Sequence, residues 1–154
     1  DMKRRVFLKG SMAAGTVGVA VGAGLLAPQA VLAAWNADAF KAKKSDDAIK
    51  AVMGAAETAA STDIKVKAPD IAENGAVVPI TVSTTMAAES IAILASNNPV
   101  PLTSSFNMGA GAEGYISTRI KMGKTGDVIA VVKAGGKLYS ARKSVKVTIG
   151  GCGG

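Results

Sequence analysis

The residue best placed for chemistry is Cys152, the single cysteine of a 154-residue chain, set in Gly150-Gly151-Cys152-Gly153-Gly154. Its four glycine neighbours offer no side chain to pack and hold no preferred backbone conformation. They follow Ile149, the expected last residue of the final strand. At 3.3–3.6 Å per extended residue, the thiol therefore stands roughly 10 Å beyond that strand. Catalysis by a thiol needs a fixed site and a base, and the chain contains no histidine to supply the base. The missing histidine also excludes Ser-His and Cys-His pairs, histidine-ligated metals and a histidine pH switch. A single cysteine excludes an internal disulfide and a zinc site built from several thiolates.

Three readings of the terminal arm stay open on these grounds. It is a carrier whose attached group enters the pockets of other proteins, one half of a Cys152-linked dimer, or an inert tail. A thiol enzyme, such as a peroxidase, is disfavoured by the missing base. No cofactor is expected, because the chain offers no redox centre and no metal ligand set. The six methionines show no clustered spacing suited to copper. The glycines between Gly109 and Gly114 are followed by strand residues rather than by the helix that a phosphate cradle requires.

The N-terminus must be separated before the +7 net charge is interpreted. Lys3, Arg4 and Arg5 precede Val6-Phe7-Leu8-Lys9, and no side chain from Gly10 to Ala37 is charged. Small residues at Val31-Leu32-Ala33-Ala34 complete a basic, apolar and processing-site layout. Arg4-Arg5 followed by Phe7, Leu8 and Lys9 resembles a twin-arginine export signal. Residues 1–33 are therefore expected to be a cleaved leader, with processing after Ala33 or Ala34. Five glycines in the apolar run argue against a stable membrane anchor. The expected location is the bacterial periplasm. Removing the leader takes four of the 18 basic residues and one of the 11 acidic ones, so the charge falls to +4. The remaining lysines are dispersed and aromatic residues are scarce, so no nucleic-acid partner is expected.

Two kinds of element must position the arm. Residues 34–62 are expected to be a helical segment. Ser45 has the chemistry of an N-cap, Asp46 and Asp47 suit a first turn, and Ile49, Val52, Met53 and Ala56 repeat at helical spacing. This predicts a helix from about Asp46 to Ala59, slightly weakened by Gly54, with a further turn near Asp38 to Lys43. Residues 63–149 switch to a period of two. Strands are expected at Ile64–Lys67, Val77–Ser83, Ile91–Ala95, Leu102–Asn107, Tyr115–Met122, Val128–Lys133 and Lys137–Ile149. Pro79 implies an edge or a bulge, and the nearly continuous apolar run at Val128–Lys133 implies a central strand.

Turn signals separate these runs at Glu73-Asn74-Gly75, Asn97-Asn98-Pro99, Gly123 to Asp127 and Ala134-Gly135-Gly136. The fold class is all-β. About seven strands form an immunoglobulin-like antiparallel β-sandwich, preceded by a short helix, with open edges or faces for that helix or a partner to cover. Lys121, Lys124, Lys143 and Lys146 are better read as a solvated strand face than as a site.

The ending Val145-Lys146-Val147-Thr148-Ile149-Gly150-Gly151-Cys152-Gly153-Gly154 resembles the C-terminus of the SoxY family of sulfur-carrier proteins. Ile64-Lys65-Val66-Lys67-Ala68-Pro69-Asp70-Ile71-Ala72-Glu73-Asn74-Gly75, Val78-Pro79 and Tyr115 to Met122 resemble strands of the same family. The resemblance implies that Cys152 carries thiosulfate-derived sulfur covalently, with Gly150, Gly151, Gly153 and Gly154 giving the arm its freedom. It implies four partners: a SoxZ-like sandwich subunit in a heterodimer, a SoxAX-like haem enzyme, a SoxB-like hydrolase and, in some organisms, a SoxCD-like sulfur dehydrogenase. The haem enzyme would form a cysteine S-thiosulfonate. The hydrolase would release sulfate from it.

Overall fold

The computed structural model describes residues 36–150. Residues 1–35, which include the expected leader with Arg4 and Arg5, and residues 151–154 lie outside the described residues.

Asn36 opens the domain by closing a helical turn. Its side-chain carbonyl accepts the Ala39 N–H at 3.1 Å, and its amide donates to the Ala51 carbonyl at 2.6 Å. The Ala42 N–H then donates to the Asp38 carbonyl at 3.1 Å, which supplies the expected turn. Helix α1, Ser45–Met53, buries Ala48, Ile49 and Met53 and carries Asp46 and Asp47 in its first turn. Two expectations for it are corrected. The N-cap is Lys44, with no side-chain cap bond, and Ser45 is already helical. The Ala48 N–H donates to the Lys44 carbonyl at 3.1 Å, so the first turn closes one residue earlier than the serine suggested. The helix also stops at Met53 instead of reaching Ala59, because Gly54 takes a left-handed φ of 87° and donates to the Lys50 carbonyl.

Nine strands follow: β1 (Ala59–Ala60), β2 (Ile64–Lys67), β3 (Ile71–Ala72), β4 (Val78–Thr84), β5 (Ser90–Ala95), β6 (Leu102–Asn107), β7 (Tyr115–Ile120), β8 (Gly126–Ala134) and β9 (Lys137–Val147). The larger sheet runs β1-β9-β8-β5-β6, with β3 also on β9, and the smaller runs β2-β4-β7. The seven longer strands lie where period-two patterning put them to within two residues at each end, but β7 stops at Ile120 instead of Met122 and β9 at Val147 instead of Ile149. The two short ones were not foreseen, and both pair parallel to β9. Gly135 and Gly136, at φ 57° and 73°, make the tight β8–β9 hairpin.

Pro79 lies on the middle strand of its sheet. Its pairing with β7 continues past the point where β2 stops, at Thr81 opposite Lys67. The missing N–H therefore falls where β4 has a neighbour on one side only, which is a local edge.

The core has two layers because β5 and β8 are buried on both faces. Ile91, Ile93, Val128, Ala130 and Val132 pack inward against Ile80, Val82 and Ile120 of the smaller sheet. Ala92, Leu94, Ile129 and Val131 pack outward against Ala48, Ile49 and Met53. Burying each large aliphatic side chain contributes about 1.5–3 kcal/mol. The helix thus packs on its own domain, and β8 is central, as its apolar run implied.

Two expected outcomes test this frame. A Cβ at Gly54 would touch nothing within 4 Å, so Gly54→Ala costs only the left-handed backbone penalty, about 1 kcal/mol. Gly54→Asn costs less, and urea unfolding of both variants measures the difference. On the surface, Lys143 donates to the Asp70 carboxylate at 2.5 Å. That hydrogen bond, and then the lysine charge, hold the Asp70 carboxyl below its ordinary range. With the folded value depressed, the tie is present at neutral pH and is lost as pH falls through that lowered value. Lys143→Met raises the Asp70 titration midpoint toward the ordinary carboxylate value, read by carbon-13 NMR.

Candidate functional site

The candidate site is the place where β9 gives way to the terminal arm. β9 is an internal strand, with β8 along one edge and β1 and β3 along the other. Its last turn of chain is tied from both sides. On the β3 side, the Lys146 N–H donates to the Asp70 carbonyl at 2.9 Å and the Thr148 N–H to the Ala72 carbonyl at 3.1 Å. The Thr148 hydroxyl lies 3.3 Å from the Glu73 carbonyl and donates toward it. The Gly75 N–H then donates to the Ile149 carbonyl at 2.8 Å.

The other side is held by the turn after β7. The Val147 N–H donates to the Thr125 hydroxyl oxygen at 2.9 Å. Asn97 donates to the Thr125 carbonyl at 2.7 Å. Asn98 accepts the Gly123 N–H at 2.9 Å and donates to the Lys121 carbonyl at 2.7 Å. The Met122 N–H donates to the Gly75 carbonyl at 2.7 Å, which joins the two sides. Three stretches that sequence patterning marked only as turns, at Glu73-Asn74-Gly75, Asn97-Asn98-Pro99 and Gly123 to Asp127, therefore converge on the end of the last strand.

Gly150 belongs to this root. A Cβ there would lie 2.5 Å from the Gly123 carbonyl oxygen, closer than atoms can approach, so the missing side chain permits a backbone contact. Cys152 lies two residues further on, within about 7 Å of Gly150 for extended chain. Cys152, Gly151, Gly153 and Gly154 lie outside the described residues, so of the expected arm only Gly150 has a described position. Lys121, Lys124 and Lys146 are exposed on the elements around the root, and Lys143 pairs with Asp70. Among the described residues, no group of acidic, histidine or cysteine side chains could hold a metal ion. No helix among them is long and apolar enough to cross a membrane.

Sequence reasoning missed Thr148, Thr125, Asn98 and Gly75 as root residues. Their bonds span some 22 to 76 residues and leave no local pattern to read. The only available signal was the presence of Asn and Thr at turns, where side chains commonly bond to backbone.

Comparison with known proteins places this geometry. A family model described as sulfur oxidation protein SoxY matches residues 49–152, a span that ends on Cys152. The solved structure of the sulfur carrier protein SoxY from Chlorobium limicola f thiosulfatophilum is 47% identical, covering 69% of this chain and 97% of that one, with a TM-score of 0.62. A superoxide reductase (neelaredoxin) from Ignicoccus hospitalis is 22% identical over 55% of this chain and 79% of that one, at a TM-score of 0.48. That second likeness is too slight to argue from. Comparison with curated proteins returned no match. With the family model spanning most of the domain and ending at the one thiol, this chain belongs to the SoxY family of sulfur carriers and is a carrier rather than a catalyst.

Proposed function

We propose that Cys152 holds thiosulfate-derived sulfur covalently, in the periplasm, while partner Sox enzymes oxidise and hydrolyse it. The observation that supports this reading is the pinned root: Val147 is held on one side and Thr148 and Ile149 on the other, and Gly150 lies against the Gly123 carbonyl, two residues before the thiol. A carrier needs a defined origin for its reach, and the root supplies one.

The chemistry balances without any group from this domain. A SoxAX-like haem enzyme takes two electrons as the Cys152 sulfur bonds to the terminal sulfur of thiosulfate. The thiol loses its proton, and the product is a cysteine S-thiosulfonate. A SoxB-like hydrolase then adds water across the bond to the outer sulfone, releasing sulfate and two protons and leaving a persulfide anion on Cys152. Where a SoxCD-like dehydrogenase exists, it takes six electrons from that remaining sulfur while three waters supply its oxygens and release six protons, giving a cysteine S-sulfonate. A second hydrolysis then releases sulfate and a proton and returns the Cys152 thiol. Each adduct is anionic, and Lys121, Lys124 and Lys146 around the root favour such charge over its absence. A SoxZ-like sandwich subunit completes the working heterodimer. Arg4 and Arg5 direct export through the twin-arginine route, and no cofactor is bound.

Two outcomes check the reading. Intact protein from thiosulfate-grown cells shows sulfur-containing mass adducts on the C-terminal peptide that a reductant removes. Cys152→Ser abolishes both the adducts and thiosulfate oxidation; activity surviving in that variant sinks the proposal. A single stable covalent dimer, with no mass change on adding thiosulfate, would favour the disulfide-linked module instead. In the second test, Gly150→Ala crowds the Gly123 carbonyl and costs about 1–3 kcal/mol of stability by overpacking. It slows sulfur turnover while Cys152 still reacts with a small alkylating reagent. Gly153→Ala, beyond the thiol, leaves stability unchanged.

A further inference from the structure

We propose that strand β6 accepts an extended strand from a second β-sandwich subunit, which continues the larger sheet of this domain. The proposal rests on the partner reading above and names the surface that partner uses.

The first observation is a comparison of sheet edges within one molecule. Unpaired strand edges attract other chains, and stable proteins blunt them with charge, proline, bulges or shortness. β2 carries Lys65 and Lys67, β7 carries Arg119, and β1 and β3 are two residues each. β6, Leu-Thr-Ser-Ser-Phe-Asn, has neither charge nor proline. Among the described residues it pairs only with β5, so its other edge is open. One bulge does interrupt it: the register shifts where Ser104 faces Ile93 and Leu102 faces Leu94. The unguarded stretch is therefore Ser104–Asn107.

The second observation is a groove of about 350 Å³ between β6 and β7, which lies beside the Leu102–Ser104 end of β6 and meets the unguarded stretch at Ser104; Thr118 and Arg119 line its other wall. The third is Ser104 itself. Its hydroxyl is shut off from solvent and has no hydrogen-bond partner, a state that costs about 1–3 kcal/mol. Ser104 lies opposite the inward-facing Ile93, so this cost sits at the start of the unguarded stretch on its inner face, while a strand docked along β6 satisfies the open backbone edge itself.

Charge selects the occupant. A second copy paired about a two-fold axis through β6 would bring its own Arg119 and Lys121 toward the same groove. A foreign strand with neutral or acidic side chains avoids that repulsion. The favoured occupant is therefore another subunit, not a copy of this one.

Hydrogen–deuterium exchange on the full chain, alone and with a SoxZ-family subunit added, tests the assignment. The amides of Ser104–Asn107 slow at least about tenfold in the complex. Ser105→Lys, which installs the guard that β2 carries, weakens the complex at least about tenfold while its circular dichroism and melting match the parent. Asn107→Lys, at the exposed end of the strand, carries the test if Ser105→Lys unfolds. A complex that forms with unchanged exchange on β6 overturns the edge site and leaves the partner reading standing. Absence of any complex removes both. Protection of the same amides by self-association, without the added subunit, overturns the assignment to a foreign strand.

Discussion

The structure depends on β9 being an internal strand. In a sandwich the last strand often closes a sheet at its edge, free to fray from the terminus inward. Here β8 pairs along its whole length on one side, from Gly126 opposite Val145 to Ala134 opposite Lys137. On the other side two short parallel pairings, at Tyr139–Ser140 and Lys146–Val147, close the remaining edge near each end. Fraying is thereby opposed at the C-terminal end of β9. β1 and β3 are too short to be stable alone, and each is worth having only because it borrows the register of a long neighbour.

That arrangement in turn needs the two-faced burial of β5 and β8. A sheet that covered only one face would leave Leu94, Ile129 and Val131 in water, and helix α1 removes them from it. Because the helix covers the larger sheet, the chain reaches β1 and β3 by crossing the β9 edge. Asn36 fixes the start of that path, and Gly54 turns it out of the helix toward Ala59. The stop at Gly54 is thus part of how β9 is held, since a helix continued to the expected Ala59 would have taken the first of the two residues of β1.

What the sequence made legible follows the range of each interaction. Cys152 and its glycines stand out in the sequence because the signal lies in five consecutive residues, of which only Gly150 has a described position. The long strands were legible because period-two burial repeats locally, and the central place of β8 followed from an apolar run with no polar face. β1 and β3 were not legible, since two residues have no period and parallel pairing leaves no hairpin signal. The helix was placed but overrun, because Gly54 reads equally as a weak interior residue or as a left-handed cap until its φ is known. The root residues were hidden for a different reason. Asn98 and Thr125 look like ordinary turn formers, and nothing near them in sequence reveals that their bonds end at Gly123 and Val147.

The root also changes what the glycines of the arm mean. Read as one run, Gly150 to Gly154 differ only in position and all appear to serve freedom. Gly150 instead serves contact, because its backbone lies against the Gly123 carbonyl where any side chain would collide. Gly150 therefore marks the boundary of the described root. From that boundary the thiol is two residues away, about 7 Å when extended. A pocket that receives so short a reach must come close to the root itself. On the proposed carrier reading, recognition of the arm and recognition of the domain are then coupled: an enzyme that admits Cys152 also meets the turns at Gly75 and Gly123.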